Sequence, residues 1–593
     1  MKKSIKLKPH LCRLCKQFAL TSPEIPSELF SVKNNTPDLS RFPLPLPSKK
    51  SDYSCSLKIG SVEWLGATTG LTRVDLSAER DEDKVMYLSA DRDLTDNNVK
   101  ALLADGDKIW VLTETAATLV EMKLVSGEEK ANILLDETLK YVMRRGMVSQ
   151  KYVKEPRNLD SCYPYTSSDN DGTFTADFAF GEVFRYATLK REKGADHPET
   201  VEAKKVATKA VEACLLLLHI SCRGDGFVAR SYHVTGEPVP DDGLFFKITD
   251  GTATPVNTTD SVENGHLGKV IDAKAEVPER LARLYTDLGF TKNDITYKAD
   301  TSSDEITNHY LLMYVAHDYL ACDDEELDEL IKMSAKGLLN HIIDHGYELH
   351  DYTGKATTWA KWSPEYFATD EGYVDATLNA AQVLMYHLVT MHITGEEGKW
   401  LESYNHLIND LHYDELTDKH FDRLYQMSIS MEFDYFEEIM YGDHMLALAA
   451  YWGLCNLEKD EKRLATFRRG FKAWRTSLER EHNAGYDLLY QHACPDEDVD
   501  FDAIETWFNR MNLSRLAAGV SLVGRHDIPV KTLRTGTKEI SVLLPQDERF
   551  ISKYDRNPFD YKDEDSGGLM CIESCYIYTF AYWFGRYFGY IEE

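Results

Sequence analysis

The chain has 593 residues, 43% of them hydrophobic and 28% charged, enough to bury a large core, which excludes both a disordered chain and a small disulfide-stapled scaffold. Its 67 Lys and Arg stand against 98 Asp and Glu. The resulting net charge of -31 repels phosphate backbones and anionic surfaces, so no nucleic-acid or membrane partner is expected.

Residues 1 to 50 mix Pro, Ser and Lys and read as an extended arm. Its basic start (Lys2, Lys3, Lys6, Lys8) is not followed by an apolar run of secretory length, because Arg13, Lys16 and Gln17 interrupt it, so the chain reads as cytoplasmic. Cys12 and Cys15 form a lone C-x-x-C with no second pair at zinc-ribbon spacing and are expected as two thiols in a loose tail. No metal and no cofactor are expected. Residues 51 to 125 change to short strand-like runs. There Trp64-Leu65-Gly66-Ala67-Thr68-Thr69-Gly70-Leu71 recurs as Trp110-Val111-Leu112-Thr113-Glu114-Thr115-Ala116-Ala117, an offset of 46 residues that fits one propeller blade. With the turn at Leu94-Thr95-Asp96-Asn97-Asn98-Val99, these copies resemble the repeats of two-component-regulator-type β-propellers. Two copies do not close a ring, so the segment reads as a blade-like remnant leaning on the next domain.

Residues 126 to 593 are dominated by helical periodicity. Helices are predicted near 127 to 146, 174 to 190, 198 to 221, 278 to 289, 304 to 321, 325 to 344, 373 to 394, 399 to 412, 433 to 456, 460 to 482, 500 to 519 and 570 to 588. Their consecutive pairing suggests hairpins in a mainly α, (α/α)6-like toroid, although an α-solenoid gives the same reading; the lack of a short fixed repeat favours closure. Residues 232 to 277, rich in Gly, Pro, Thr and Asp, read as a loop insertion over one mouth of the ring.

Several stretches carry chemistry. Lys298 to Tyr310 contains Asp300, Asp304, Glu305 and His309, four titratable groups crowding one helix start. Neighbouring acids split their pKa values, leaving one as an acid and one as a base; alternatively, Ser302 and Glu305 form nothing more than a capping box. In a second stretch, Ser167, Asp169, Asp171 and Gly172 resemble the start of a calcium loop, with Phe178 where an EF-hand needs Glu, or form a turn capping a helix. Arg230 follows a helix end and fits a carboxylate clamp or a bridge between helices. Trp359 and Trp362 suit the apolar face of a sugar, or the core. Asp443 and His444 interrupt an apolar helix and either face the cavity or pair structurally.

Together, the segments at 143 to 150, 169 to 185, 226 to 231, 298 to 310, 340 to 363, 547 to 559 and 582 to 587 resemble a family of bacterial proteins that join regulator-type propeller repeats to an α/α toroid. The resemblance covers most of the chain from about 60 on. It implies a toroid like those of glycoside hydrolases and polysaccharide lyases, often acting on uronic-acid glycans, and supplies no catalytic pair. Tyr297 and Ala299 stand where that pattern has Trp and Gly.

The expected function is therefore a glycoside hydrolase whose partner is an acidic, uronate-containing oligosaccharide or polysaccharide. Asp304 or Glu305 would be the general acid, Asp171 the opposing carboxylate, His309 an orienting partner and Arg230 the clamp. Trp359, Trp362, Asp300, Tyr310, Asp443 and His444 would line the substrate. The alternatives are a lyase, with His309 or Tyr310 as base and Arg230 and Asn308 as donors, or a non-catalytic glycan-binding or assembly protein. The sugar, its linkage and the oligomeric state are not legible.

Overall fold

The computed structural model describes residues 3–90, 92–163, 169–351, 354–424, 439–517, 521–549, 553–561 and 568–593. Within residues 10–125 two four-stranded antiparallel sheets form. In the first, Tyr53–Ile59, Val62–Ala67, Gly70–Val74 and Val85–Leu88 pair in chain order. The second orders Ala101–Asp105, Lys108–Leu112 and Ala116–Val125 the same way, then takes its fourth strand, His10–Ala19, from the arm. Trp64 and Trp110 occupy equivalent strands, each entered through a hairpin turned by a left-handed glycine, Gly60 (φ 60°) or Gly106 (φ 64°). Between the sheets lies a core of Trp64, Leu71, Leu88, Leu102, Ile109 and Val120.

The start of the arm is not loose, because His10 to Ala19 pair along their full length with Ala116–Val125. Cys12 and Cys15 sit on that strand. Three positions apart in a strand, they face opposite sides, so they cannot close on one metal ion. All eleven cysteines are free thiols.

A buried ionic network fastens the sheets to the rest of the chain. Arg510, almost fully buried, pairs with Asp547 (2.9 Å) and Glu548 (2.8 Å) and donates to the Glu82 carbonyl. Arg13 on the His10–Ala19 strand pairs with Asp93 (3.0 Å) and reaches Asp547 (3.7 Å), while Arg525 pairs with Glu548 (2.9 Å). Lys130, also buried, donates to the Phe508, Asn509 and Met511 carbonyls (2.8–2.9 Å), capping a helix end with positive charge.

From Gly127 on the chain is mainly helical. Six helices, Asp171–Lys193, Ser303–Tyr319, Asp370–Thr394, Tyr441–Leu457, Ala484–Ala493 and Tyr576–Tyr587, contact one another in that order, and the last returns to the first. These are the inner helices, apolar on nearly every side. Outside them pack Pro198–Leu217, Glu325–Asp344, Gly398–Asn409, Glu461–Leu478, Phe501–Asn509 and Gly127–Glu137. An outer helix such as Glu461–Leu478 buries a single stripe, Phe467, Phe471, Trp474 and Leu478, at helical spacing. Each outer helix returns the chain, so the inner N-termini fall at one end. The middle is filled by Phe180, Trp452 and Phe584, with Phe180 stacked on Phe580 at 4.2 Å. Among the described residues no helix is long and apolar enough to cross a membrane.

Several predicted elements differ. Residues 232 to 277, expected as a loop insertion, instead supply four strands of a five-stranded antiparallel sheet in the order Ser231–Val234, Ile295–Lys298, Phe245–Thr249, Thr252–Pro255, Ile271–Asp272. One tight hairpin, turned by Asp250 and Gly251 at positive φ, joins Phe245–Thr249 to Thr252–Pro255, while Pro255 itself pairs with Phe246 inside the sheet. The helix at 500 to 519 stops at Asn509, since Leu516–Ala517 pairs with Cys571–Glu573, which also delays the last helix to Tyr576. The inner helix Ala484–Ala493 went unpredicted: His482, at φ 48°, separates it from the helix before it, and histidine is no usual breaker. Positions 433–438 of a further predicted helix lie outside the described residues.

Candidate functional site

The five-stranded sheet positions the site. Ser231 pairs with Lys298, and the Arg230 backbone N–H donates to the Lys298 carbonyl at 3.1 Å. This brings the stretch ending at Arg230 against the stretch running through Asp300 into the Ser303 helix. Lys298, almost fully buried, bonds the Asp169 carboxylate and the Asp242 carbonyl (3.0 Å). Arg230 donates from Nη1 to the Asp169 carbonyl (2.7 Å). Its Nε is buried without a partner, and among the described residues it makes no ion pair, although its charge lowers the pKa values of Asp300, Asp304 and Glu305.

The charge of this guanidinium reaches Asp300 and Asp304, and Asp304 in turn acts on Asp443, which also feels Asp375, so a crown of carboxyl groups gathers at the inner N-termini on one side of Arg230. Burial pushes Asp300 up to about 6 even though Lys298 and Arg230 pull it down. Asp304 is also raised by burial, with Arg230 opposing and the charge of Asp555 adding. Asp443, from the next-but-one inner helix, is pushed up to about 7 by burial and then by the charges of Asp375 and Asp304. Asp375 is raised by burial and accepts a hydrogen bond from the Tyr366 hydroxyl. Asp555, whose charge also acts on Asp304, has one buried oxygen without a partner and helps burial hold the Asp177 carboxyl well above its usual range. Asp304 and Asp443 keep part of their surface open to solvent. The arrangement therefore offers acids with separated pKa values, plus one cation free to meet an anion.

Other predicted residues are placed differently. Ser302 makes no cap hydrogen bond, so no capping box forms. Glu305 turns inward instead and is fully buried; it accepts from Thr173 Oγ1 at 3.3 Å, and its other oxygen has no partner. That position puts it out of a substrate's reach as a general acid. Asp171, also buried, accepts from Ser231 Oγ (2.6 Å) and Arg144 (3.3 Å), so it ties the helix start to the sheet and is not an open opposing carboxylate. Ser167 lies outside the described residues, and with Asp171 so engaged the stretch is a helix start. Among the described residues no cluster of three His, Cys, Asp or Glu is placed to hold a metal.

His309 does not orient a carboxylate. Its Nδ1 lies 2.6 Å from the Glu305 carbonyl and its Nε2 3.1 Å from the Cys214 carbonyl, and burial lowers its pKa. Both nitrogens face backbone oxygens inside the core, so neither is open to a substrate proton. Tyr310 is core: fully buried, stacked on Tyr386 (4.5 Å), its hydroxyl donating to the Ala335 carbonyl (3.2 Å). Trp362 is core too, with Nε1 donating to Gln382 at 3.0 Å, whereas Trp359 stands 56% exposed on the Ala356–Lys361 strand. His444 packs edge-on against Trp474 (4.7 Å), and burial lowers it to about 4. One residue on, a helix turns by about 100°, so Asp443 and His444 cannot both face the mouth.

Sequence reasoning missed Asp375, Asp555, Asp177 and Lys298 as site residues. Asp177, an acid between Phe174 and Phe178, was the clearest available sign. No protein family and no curated protein matches the chain. Among solved structures the chain is similar to one described as "Bacteroides ovatus GH9", at 8% identity and a TM-score of 0.33, covering 89% of this chain and 96% of that one.

Proposed function

We propose that the chain is a carbohydrate-active enzyme, a glycoside hydrolase acting on an acidic, uronate-containing glycan at the mouth where the inner helices begin. The closed order of those helices supports an α/α toroid. The observation that carries the reading is the carboxyl crown beside Arg230. Asp443, near 7, would hold the proton for the leaving oxygen, and Asp304, whose charge helps keep it there, would be the opposing carboxylate. Arg230 would pair with the substrate carboxylate, aided by helix N-termini that favour negative charge despite the chain's overall sign. Exposed Trp359 would stack on a sugar ring.

The lyase alternative loses both its bases, because His309 and Tyr310 are engaged with backbone carbonyls. The test is incubation with oligosaccharides containing glucuronate or galacturonate, read by mass spectrometry and ultraviolet absorbance. Products carrying one added water support hydrolysis, an absorbing unsaturated product would mean elimination, and saturable binding without cleavage would leave a glycan-binding protein. Arg230→Gln should weaken turnover of the free acid far more than of its methyl ester.

A further inference from the structure

A cavity of about 360 Å³ lies between the sheets and the helices and contains none of the crown's carboxyl groups. Pro45 and Val85 line it from the part of the chain that holds the sheets, and Trp507, Leu543, Arg525 and Arg549 from the part that follows. Its volume falls in the range of small-molecule sites, about 300–1,000 Å³.

The charges there are unequally matched. The wall acids are each taken: Glu82 by Arg80 (2.5 Å), Asp527 by Arg525 (2.8 Å), and Glu548 by Arg525 and Arg510. Arg549 is different. It is almost fully buried, its Nε donates to the Leu544 carbonyl (2.6 Å), and its guanidinium lies 5.3 Å from the Trp507 ring. Among the described residues it forms no ion pair. Of the acids that act on it, Asp547 is held by Arg510 and Arg13, and Glu481 is pushed up to about 8 by burial and so is mostly protonated at neutral pH. A buried cation without an opposing charge is costly. Trp507 Nε1, buried and without a partner, adds an unused donor to the same wall.

We propose that this cavity binds a small sugar acid, its carboxylate held by Arg549 and its ring by the apolar wall of Trp507, Leu543 and Val85. The site is separate from the crown and stands whether or not the chain hydrolyses glycans. Because its walls come from both the sheets and the helices, a bound ligand would also hold the two together.

The test is calorimetric titration of the whole chain with D-glucuronate, with D-glucose as the uncharged control. Glucuronate should bind and glucose should bind at least about tenfold more weakly. Ala503→Phe, which fills the cavity from its partly exposed wall, and Arg549→Gln should each cost about tenfold or more in affinity, while Arg230→Gln should leave this binding intact. If Arg549→Gln fails to fold, Ala503→Phe decides. Binding unchanged by Ala503→Phe, binding lost only in Arg230→Gln, or no binding at all would overturn the proposal. The second of these outcomes would leave the hydrolase reading standing. Intact cavity binding in a chain that cleaves no glycan would sink that reading alone.

Discussion

Replacing Arg510 by Gln should loosen the attachment of the sheets. The side chain, 1% exposed, lies 2.9 Å from Asp547, 2.8 Å from Glu548 and 3.7 Å from Asp83. Removing one partner of a buried pair costs about 3–5 kcal/mol, because it leaves the other charge buried and uncompensated. Asp547 would keep Arg13, and Glu548 would keep Arg525. The loss should therefore sit at the low end, about 3 kcal/mol, or roughly a hundredfold in the opening equilibrium. Hydrogen exchange of the His10–Ala19 amides reads that opening without assuming that the whole chain unfolds in one step. The expected result is exchange faster by about a hundredfold in the variant. A change below about fivefold, the scale of an exposed ion pair, would refute the view that this network fastens the sheets.

The same network has a pH signature. Burial pushes Asp547 up, but Arg510 and Arg13 outweigh it and hold its carboxyl below the usual range. Its stabilisation is therefore complete above the unfolded value of about 3.9 and fades as pH falls toward the lower folded value. Protection of the His10–Ala19 amides, corrected for the intrinsic exchange rate at each pH, should fall in acid, and Arg510→Gln should flatten that dependence.

Glu305→Gln is expected to be tolerated. Burial holds the Glu305 carboxyl well above its usual range, so the folded state loses stability as pH rises from the unfolded value of about 4.3 toward the folded one, a loss that an amide does not suffer. The urea midpoint of the variant should overtake that of the native chain as pH rises, and the opposite trend would mean that Glu305 is ionised when folded. Gly172→Ala would place a Cβ 2.0 Å from Glu305 Oε2 and 2.8 Å from His309 Cε1; thermal melts should show a loss of about 1–3 kcal/mol. Trp362→Phe, which leaves Gln382 Oε1 without its buried donor, should cost about 1–3 kcal/mol, whereas Trp359→Ala should change stability by less than about 0.5 kcal/mol and weaken glycan binding instead.

The sequence disclosed period better than it disclosed partners. Helical spacing located the inner and outer layers because burial imposes it directly, and the 46-residue offset located two equivalent tryptophan strands. Short strands hidden among Gly and Pro were read as a loop, since a strand of four or five residues carries too little alternation to register. At the site, the charges at Asp300, Asp304 and Arg230 were legible as candidates because they flank apolar segments, although acids at a helix start also simply complement its dipole. Which neighbours turn outward was not: Glu305 and His309 lie four apart on one face, and that face points into the core. Asp375 and Asp555 join the crown only through tertiary packing, which no local pattern records.

Cleavage of a glucuronate-containing oligosaccharide by the native chain and by Asp443→Asn, followed across pH with a melting curve for each, decides the matter. With Asp443 titrating near 7, native turnover should fall as pH rises through that value, and the amide should abolish turnover with the melt unchanged. Cleavage that survives in the variant, or a native chain that cleaves none of the acidic glycans, would contradict a hydrolytic role for the carboxyl crown.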